Sequence, residues 1–421
     1  MLKTVPVSEL QVGMFVEKMQ GNWFDHPFWK SQFLIDDQDR LRELKSSKLE
    51  HVVINTKRGK DLPPTKCEPK SPAPQLPSPA AARLARVRAR TALQPSAPRP
   101  ASMEREVLAA QRIADRSKEQ VQKVFASARL GKAINVRTVE PVVRDVLSSV
   151  RRNSQAFGGL MRCKLKNELV YRHSLAVSAL MVSLAIKMKS NQQEVHQAGL
   201  AGLLLDIGVN FLPQNVSPAN GDFRNAPPKI WQQHVVLGHR SLQDDDTIPR
   251  SVLNACLEHH ERFDGTGFPN GLAKDEISRL GQMAAICDTF DYLLIETTST
   301  KALDPAMAIQ KLRSMEGAFN PEILRIFVES VGLYPVGSFV RLKSGKLAMV
   351  VDEDVRDLGK PVVEAFYSFD TAERIIQHRI ELAKPNCEDE IMAIADLDGL
   401  GLPEDAQLRE LVFLAAYQKE N

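Results

Sequence analysis

The chain lacks the features that mark a membrane or secreted protein. Its 421 residues contain only five cysteines, which are scattered and form neither a metal-type spacing nor an even-numbered disulfide framework. No apolar run reaches the roughly 18 residues that a membrane-spanning helix needs, and the N-terminus has no signal-peptide pattern. We therefore expect a cytoplasmic protein without a membrane span.

The chain also lacks a strong charge of either sign. Its 55 lysines and arginines are nearly balanced by 52 acidic residues, for a net charge of +3. This balance gives no case for general nucleic-acid binding or for attachment to an anionic membrane. With 43% hydrophobic residues, the chain is able to form two or three domains with ordinary cores.

Histidine, in contrast, is concentrated: six of the nine histidines lie between His173 and His260. Residues 259–269 read HHERFDGTGFP. Adjacent residues on a helix point about 100° apart, so both histidines can face one cavity only where the helix ends. Glycines give the following turn its backbone freedom, and imidazoles beside carboxylates are suitable ligands for several metal ions. The alternative for this run alone is a capped helix end with solvated histidines.

Imidazole and acidic side chains on either side of this run favour the metal site. His173 opens an amphipathic helix, Asp206 lies in the apolar run LLLDIG, and His234 begins HVVLG. Asp288 lies inside another apolar helix, where an unpaired carboxylate would be costly. Taken singly, each position fits a satisfied core histidine or an acid that caps a turn. Their order and spacing together favour a shared site.

The same residues, in this order, resemble the HD-GYP family of bacterial signalling proteins. That family is an all-helical branch of the HD metal-dependent phosphohydrolases, and its active members hydrolyse cyclic di-GMP. The run HHERFDGTGFP matches the family's pattern except that Phe268 replaces a tyrosine. Gly238, which follows His234 by four positions, and the stretch 301–305 also match. The resemblance covers residues 145–333 and implies a helical HD-type bundle.

The resemblance implies roles for particular residues. Divalent ions, most suitably iron or manganese, with zinc or nickel as alternatives, would clamp the phosphodiester oxygens and activate a water for in-line attack on phosphorus. Asp206 would bridge the ions and, with Lys301, serve catalysis. The implied metal ligands are His173, Asp206, His234, His259, His260 and Asp288. The implied substrate-binding residues are Arg262, Asp264, Gly265, Gly267, Phe268, Pro269 and Lys301.

The chain departs from the family pattern at several positions. Leu205 stands where the namesake histidine of the His-Asp pair is expected, and Val209 replaces the lysine that normally follows. The glutamate of a third metal position is displaced by one residue, since Leu169 occupies its place and Glu168 precedes it. The basic segment expected before Lys301 is missing. Leucine cannot ligate a metal, so we expect one metal position to be weak or empty and hydrolysis to be impaired.

Nearby histidines compensate poorly for Leu205. His196 lies nine residues upstream of Leu205, about 13 Å along a helix, and His239, five residues after His234, is a weak candidate.

Three hypotheses about function therefore stay open. The protein is a working or slow cyclic di-GMP phosphodiesterase, a catalytically inactive receptor for the dinucleotide or for a protein partner, or a metal-free helical scaffold. The retention of the other ligands argues against the scaffold.

Composition divides the chain before the bundle into three parts. Residues 1–62 predict a small α/β leader domain, in which the tryptophan-containing segment 22–29 forms either an aromatic core or a docking or ligand-binding surface. Residues 63–102 are a linker rich in proline, alanine and arginine, with a short helix predicted over 80–93. Connecting helices are predicted over 103–144. Their apolar spacing allows a homodimeric coiled-coil contact but is too short to require one.

After Gly332 the hydrophobic period changes from helical to alternating. We predict three strands, with a hairpin turn at Ser344-Gly345, and then a last helix: 337–342, 347–352, 362–367 and 404–417. The predicted fold class is thus mainly α. A helical HD-type bundle over 145–333 follows the leader domain and precedes a β-rich region over 334–421.

Overall fold

A computed structural model describes most of the chain. The described residues are 2–20, 33–46, 51–60, 100–130, 136–163, 169–213, 226–296, 301–354 and 357–417. They belong to two compact units, residues 1–94 and residues 95–421. The tryptophan-containing segment 22–29, residues 63–99 of the predicted linker and the helix predicted over 80–93 lie outside the described residues.

The first unit is a small α/β fold, as the sequence predicted. It contains the elements β1 (Leu2–Pro6), β2 (Phe15–Gln20), β3 (Phe33–Leu34), α1 (Gln38–Ser46) and β4 (His51–Asn55). The strands form an antiparallel sheet in the order β1-β4-β2-β3. Val52 and Ile54 face the core together because alternate residues of a strand lie on one side of the sheet.

The second unit begins with helices that share one hydrophobic core. They are α2 (Met103–Arg129), α3 (Glu140–Arg152), α4 (Ser154–Cys163), α5 (Leu169–Lys187) and α6 (Gln192–Leu204). Buried residues of α2, among them Val107, Ala110, Val121 and Phe125, recur at helical spacing and pack into this core. The homodimeric contact considered for α2 stays a prediction.

The bundle continues after a short 3₁₀ segment, Leu205–Phe211. Its further helices are α7 (Pro228–Trp231), α8 (Gln233–Leu242), α9 (Arg250–Glu258), α10 (Arg279–Leu293), α11 (Pro305–Ser314) and α12 (Pro321–Val331). α10 is buried along its whole middle part, Gly281 to Asp291. The two aspartates of this helix therefore lie inside the protein rather than on its surface.

Gly208 brings the 3₁₀ segment against α8. A Cβ atom at Gly208 would lie 1.9 Å from the carbonyl oxygen of His234 and 2.6 Å from the backbone nitrogen of Gly238. Only glycine fits this approach, because any side chain would collide with the α8 backbone. The contact holds Asp206, two residues earlier, beside the first turn of α8.

A five-stranded antiparallel sheet and a last helix complete the second unit. They comprise β5 (Phe339–Leu342), β6 (Lys346–Asp352), β7 (Val362–Ser368), β8 (Glu373–Glu381), β9 (Ile391–Ile394) and α13 (Asp405–Tyr417). The strand order is β8-β7-β6-β5-β9. The three predicted strands and the helix are present, and Gly345 takes a positive φ of 70° in the predicted turn. The two edge strands were not predicted.

Asp304 attaches this sheet to the bundle. Its Oδ1 accepts a hydrogen bond from the backbone nitrogen of Ala306 at 2.9 Å, which caps α11, and its Oδ2 accepts one from Phe339 in β5, also at 2.9 Å. Arg409 of α13 lies 3.5 Å from the same carboxylate.

The predicted fold class is confirmed by these elements: a helical bundle with a small α/β leader and a β-rich C-terminal region. Among the described residues, no helix combines the length and apolar character of a membrane span.

Candidate metal centre

The six imidazole and carboxylate side chains implied as metal ligands lie together in the bundle. They come from α5, the 3₁₀ segment, α8, the end of α9 and α10. They form two groups, and within each group the candidate ligand atoms lie within 4.8 Å of one another. The groups are His173 with Asp206 and Asp288, and His234 with His259 and His260.

The first group, called here the mixed group, combines one imidazole with two carboxylates. Nε2 of His173 lies 3.2 Å from Oδ2 of Asp206 and 3.1 Å from Oδ1 of Asp288. All three residues are 5% exposed. Imidazole and carboxylate ligands at such spacing suit a divalent transition-metal ion.

The second group, called here the imidazole group, consists of three histidines. The Nδ1 atoms of His234 and His259 lie 2.6 and 2.9 Å from the carbonyl oxygens of Trp231 and Cys256. A carbonyl oxygen only accepts hydrogen bonds, so each Nδ1 carries a proton, and in a neutral ring each Nε2 then presents its lone pair. These two Nε2 atoms face each other at 3.3 Å. Two lone pairs at that distance repel, and a cation between them removes the repulsion.

Asp206 connects the two groups. Its Oδ2 contacts His173, while its Oδ1 lies 3.4 Å from Nε2 of His234 and 3.7 Å from Nε2 of His259. This buried Oδ1 has no hydrogen-bond partner among the described residues, and the same holds for Nε2 of His260. Buried polar atoms normally have partners. Two such atoms beside unprotonated imidazoles fit a bound divalent ion, so the donor set is suited to metal.

Burial and mutual contacts shift the pKa values of the candidate ligands in different directions. Burial lowers the pKa of His173, but contacts with three carboxylates raise it well above its ordinary value. Burial raises the pKa of the Asp206 carboxyl, but the contact with the His173 imidazole holds it well below its ordinary value. Burial and the neighbouring imidazoles lower the pKa of His260 well below its usual range, so its ring is neutral.

Asp291 also lies at this centre, and it was not predicted from the sequence. Its Oδ2 lies 2.8 Å from Nδ1 of His173, on the side of the ring away from the ligand groups. Asp291 follows Asp288 by three positions on α10, a spacing that places both carboxylates on one face of the helix. That spacing was the available signal.

The run HHERFDGTGFP forms a tightly held loop. Glu261 is 1% exposed, and its carboxylate accepts hydrogen bonds from the backbone nitrogens of Asn270 at 2.8 Å and Leu272 at 3.0 Å. A Cβ atom at Gly267 would lie 2.3 Å from the backbone nitrogen of Arg262, so the loop folds back closely on its own start. The ring of Phe268 stacks on the imidazole of His260, with 4.7 Å between ring centres.

Other residues implied as substrate-binding build the loop rather than line a cavity. Asp264 is exposed and accepts hydrogen bonds from the backbone and hydroxyl of Thr266. Gly265 takes a positive φ of 81°, and Pro269 follows a cis peptide bond. The hydrogen bonds from Thr266 lower the pKa of the Asp264 carboxyl below its ordinary value. Backbone geometry explains these residue types.

A cleft of about 210 Å³ opens above the mixed group. Its lining includes Arg262 and Phe268 from the predicted substrate-binding set, and Trp231, Thr289, Tyr292 and Ile295, which were not predicted. Nη2 of Arg262 lies 3.3 Å from the hydroxyl of Thr289. Lys301 is not among the lining residues. Its ammonium group pairs with Asp398 at 2.8 Å on the exposed surface.

The positions that depart from the family pattern are apolar and buried. Leu205 is 1% exposed and Val209 is fully buried, and both belong to the main hydrophobic core.

His196 pairs with Glu140 at 2.9 Å, and neither His196 nor His239 belongs to a metal-binding group among the described residues. Glu168 lies outside the described residues. The mixed group thus offers three candidate ligand side chains, and Leu205 cannot add a fourth.

Known proteins match this chain over most of its length. A family profile described as a domain of unknown function (DUF3391) matches residues 2–139, and one described as an HD domain matches residues 160–323. Cyclic di-GMP phosphodiesterase PA4108 of Pseudomonas aeruginosa is 37% identical over 395 residues, which cover 93% of this chain and 92% of that protein.

More distant matches cover less of the chain or show lower identity. Cyclic di-GMP phosphodiesterase PdeB of Borreliella burgdorferi is 22% identical over 192 residues, or 45% of this chain and 50% of that protein. Among solved structures, the HDG"Y"P protein Bd1817 of Bdellovibrio bacteriovorus matches with a TM-score of 0.44 and 19% identity, covering 78% of this chain and 98% of that one.

The helical bundle with buried histidines and aspartates at its centre, together with the HD-domain match, places the chain in the class of HD domain proteins, whose phosphohydrolases bind divalent metal ions. The chain belongs to the HD-GYP family of cyclic di-GMP phosphodiesterases.

Proposed function

We propose that the protein binds cyclic di-GMP and hydrolyses it slowly, to the linear dinucleotide pGpG and onward to GMP. The observation that carries the proposal is the arrangement around Asp206, whose two carboxylate oxygens each face one ligand group. Relatives named cyclic di-GMP phosphodiesterases support the choice of substrate.

The two ligand groups, joined by Asp206, would hold the metal ions. Divalent ions bound there supply electrophilic stabilisation of the phosphoryl oxygens and an activated water. Mixed imidazole and carboxylate ligation suits iron or manganese, with zinc or nickel as alternatives. The carbonyl oxygens behind His234 and His259 fix both rings with their lone pairs toward the ion.

The loss of the namesake histidine makes the two positions unequal. The imidazole group offers three nitrogens and shares one carboxylate oxygen of Asp206. The mixed group offers one nitrogen and two carboxylates, and Leu205 adds nothing. We therefore expect full occupancy at the imidazole group and partial occupancy at the mixed group, which would make turnover slow rather than absent.

The chain's own residues would orient the dinucleotide in the cleft. Arg262 lies in the lining, where its guanidinium can pair with a phosphate oxygen. Trp231 and Phe268 offer aromatic surface near the same opening. Lys301 can contribute only after leaving its ion pair with Asp398, so we assign it a lesser role than the sequence implied. Other cyclic dinucleotides remain alternative substrates because the shape of the cleft decides which base is accepted.

The proposal places the reaction in the cytoplasm. The cysteines at positions 163, 256, 287 and 387 are free, as expected in a reducing compartment. Partner proteins of the signalling network and a homodimer belong to the same proposal.

Anaerobic turnover of cyclic di-GMP by the purified full chain, supplied with iron or manganese, tests the proposal. Chromatography would follow pGpG and GMP, with a second cyclic dinucleotide as competitor. His260→Ala removes an imidazole from the site, and His196→Ala removes one that pairs with Glu140 elsewhere. We expect product from the parent and from His196→Ala, and none from His260→Ala.

The other outcomes select the alternatives. Cyclic di-GMP that binds but is not cleaved under any metal condition would make the protein a receptor. Neither binding nor product would leave a protein-interaction module. Product that survives His260→Ala unchanged would place the chemistry outside this cleft.

A further inference from the structure

His173 differs from the other rings of the centre in what holds its second nitrogen. The Nδ1 atoms of His234 and His259 face backbone carbonyl oxygens. Nδ1 of His173 faces a side chain, the carboxylate of Asp291, at 2.8 Å. This carboxylate lies outside both ligand groups.

We propose that Asp291 is a positioning residue that fixes the tautomer of His173, an inference that rests on the proposed metal centre. A metal at the mixed group needs the lone pair of Nε2, so the ring's proton must be on Nδ1. An ionised carboxylate only accepts hydrogen bonds, and Asp291 therefore holds the proton on Nδ1. A carboxylate behind a ligand histidine also raises the basicity of the ring.

The surroundings of Nε2 make this control necessary. That atom lies 3.2 Å from one carboxylate oxygen of Asp206 and 3.1 Å from one of Asp288. Both oxygens attract a proton to Nε2, which is the atom that must be free for metal. Asp291 opposes them from the other side of the ring. Because Leu205 supplies no ligand, a wrong tautomer at His173 would leave this position with carboxylates alone.

The alternative is that Asp291 only fills space and satisfies a buried hydrogen bond. The two roles make opposite predictions for Asp291→Asn. Asparagine keeps the shape, but its amide can donate a hydrogen bond to Nδ1, which leaves the proton on Nε2 and blocks the metal. Alanine removes the contact and lets the ring choose either tautomer. A packing role therefore predicts that asparagine is mild and alanine severe, whereas a tautomer role predicts that asparagine is at least as damaging as alanine.

Titration of the metal-free full chain with Co²⁺ alone, followed by visible absorption, measures this directly. For Asp291→Asn and Asp291→Ala we expect one binding step to weaken by about 10- to 100-fold, with the asparagine variant no better than the alanine variant. The other step, at the imidazole group, stays unchanged. Thermal unfolding of the metal-free Asp291→Asn protein should match that of the parent.

Glu140→Gln is the matched control. It makes the same change from carboxylate to amide opposite an imidazole, since Oε2 of Glu140 lies 2.9 Å from Nε2 of His196, away from the centre. Its Co²⁺ titration should be that of the parent. Parent-like Co²⁺ binding by Asp291→Asn would overturn the positioning role while leaving the proposed phosphodiesterase intact. A parent chain that binds no Co²⁺ would overturn the metal centre itself, and the positioning role with it.

Discussion

Oδ1 of Asp206 lies 3.4 Å from Nε2 of His234. The proton of a neutral His234 ring is on Nδ1, which donates it to the carbonyl oxygen of Trp231. Neither atom of the contact with Asp206 therefore carries a proton that could form a hydrogen bond. The contact is therefore between two electron-rich atoms in a buried site. Such an arrangement is costly in the absence of a cation. Asp206 joins the two ligand groups through this contact, so both proposed metal positions depend on this residue.

Asp206→Asn should remove metal from both positions. The amide keeps the shape but loses the charge, and its nitrogen cannot ligate. We expect the bound metal per chain to fall at least about 10-fold at equal free metal, as measured by elemental analysis after anaerobic loading. Asp264→Asn, a change of the same kind on the exposed side of the loop, should leave the content unchanged. Retention of one full equivalent in Asp206→Asn would show that the imidazole group binds independently.

Leu205→His should raise the metal content and restore only part of the hydrolytic activity, because Val209 and the missing basic segment stay as they are. Leu205 is 1% exposed, so an imidazole there lies in the core and loses stability unless it reaches the metal. The unfolding temperature of the metal-free variant should fall below that of the parent, and added Mn²⁺ should raise it by more than in the parent.

Leu205→Ala is the control for the lost packing. It should cost about 2–5 kcal/mol of unfolding free energy without any gain in metal-dependent stabilisation. Full family-like activity from Leu205→His alone would show that the other departures have little effect.

The candidate ligands could be predicted from the sequence because each carries a local signal. His259 and His260 precede a turn with fixed glycine positions, and Asp288 is an acid inside an apolar helix. The strands at Lys346–Asp352 and Val362–Ser368 were also predictable because their apolar residues are locally dense, although five consecutive residues of each strand are buried rather than every second one. Local patterns of this kind do not depend on the rest of the chain.

The remaining features depend on contacts between distant segments. Asp291 meets His173 across a separation of 118 residues, and Lys301 meets Asp398 across 97. No local pattern reports which helices or loops will pack together. The edge strand Glu373–Glu381 escaped prediction because one side of it is solvent-exposed and its sequence, ERIIQHRIE, lacks a regular alternation.

Glu261→Gln should loosen the loop that carries His260 and Phe268. The carboxylate accepts one hydrogen bond with each oxygen, from Asn270 and Leu272. An amide can accept only one, and its nitrogen would face the other N–H group. Leaving a buried donor unpaired costs about 1–3 kcal/mol.

We expect urea unfolding to show that loss for Glu261→Gln, together with weaker binding of cyclic di-GMP. Glu276→Gln changes an exposed glutamate that also accepts a backbone hydrogen bond, from Ala273 at 2.9 Å. The unfolding free energy of Glu276→Gln should lie within about 0.5 kcal/mol of that of the parent. Equal stability of the two variants would mean that water replaces the buried acceptor.

Glu353 should make stability depend on pH, independently of the metal centre. Its Oε1 is enclosed and has no hydrogen-bond partner among the described residues, and it lies against the α-carbon of Gly332, where a Cβ atom would approach to 2.3 Å. Burial raises the pKa of this carboxyl to about 8 from an ordinary value of 4.5. The folded chain therefore holds a proton that the unfolded chain has already released, and the stability contributed by protonation falls as pH rises from about 4.5 to about 8.

Glu353→Gln removes this titration while keeping the shape of the side chain. The difference in unfolding temperature, variant minus parent, should grow from pH 5 to pH 8 and then level off, because only the parent must bury a negative charge at the upper end. Subtracting the parent at each pH removes the contributions of all other groups. Glu388→Gln, at an exposed position, should give a difference near zero at every pH. A flat difference for Glu353→Gln would show that the carboxyl is ionised in the folded protein throughout this range.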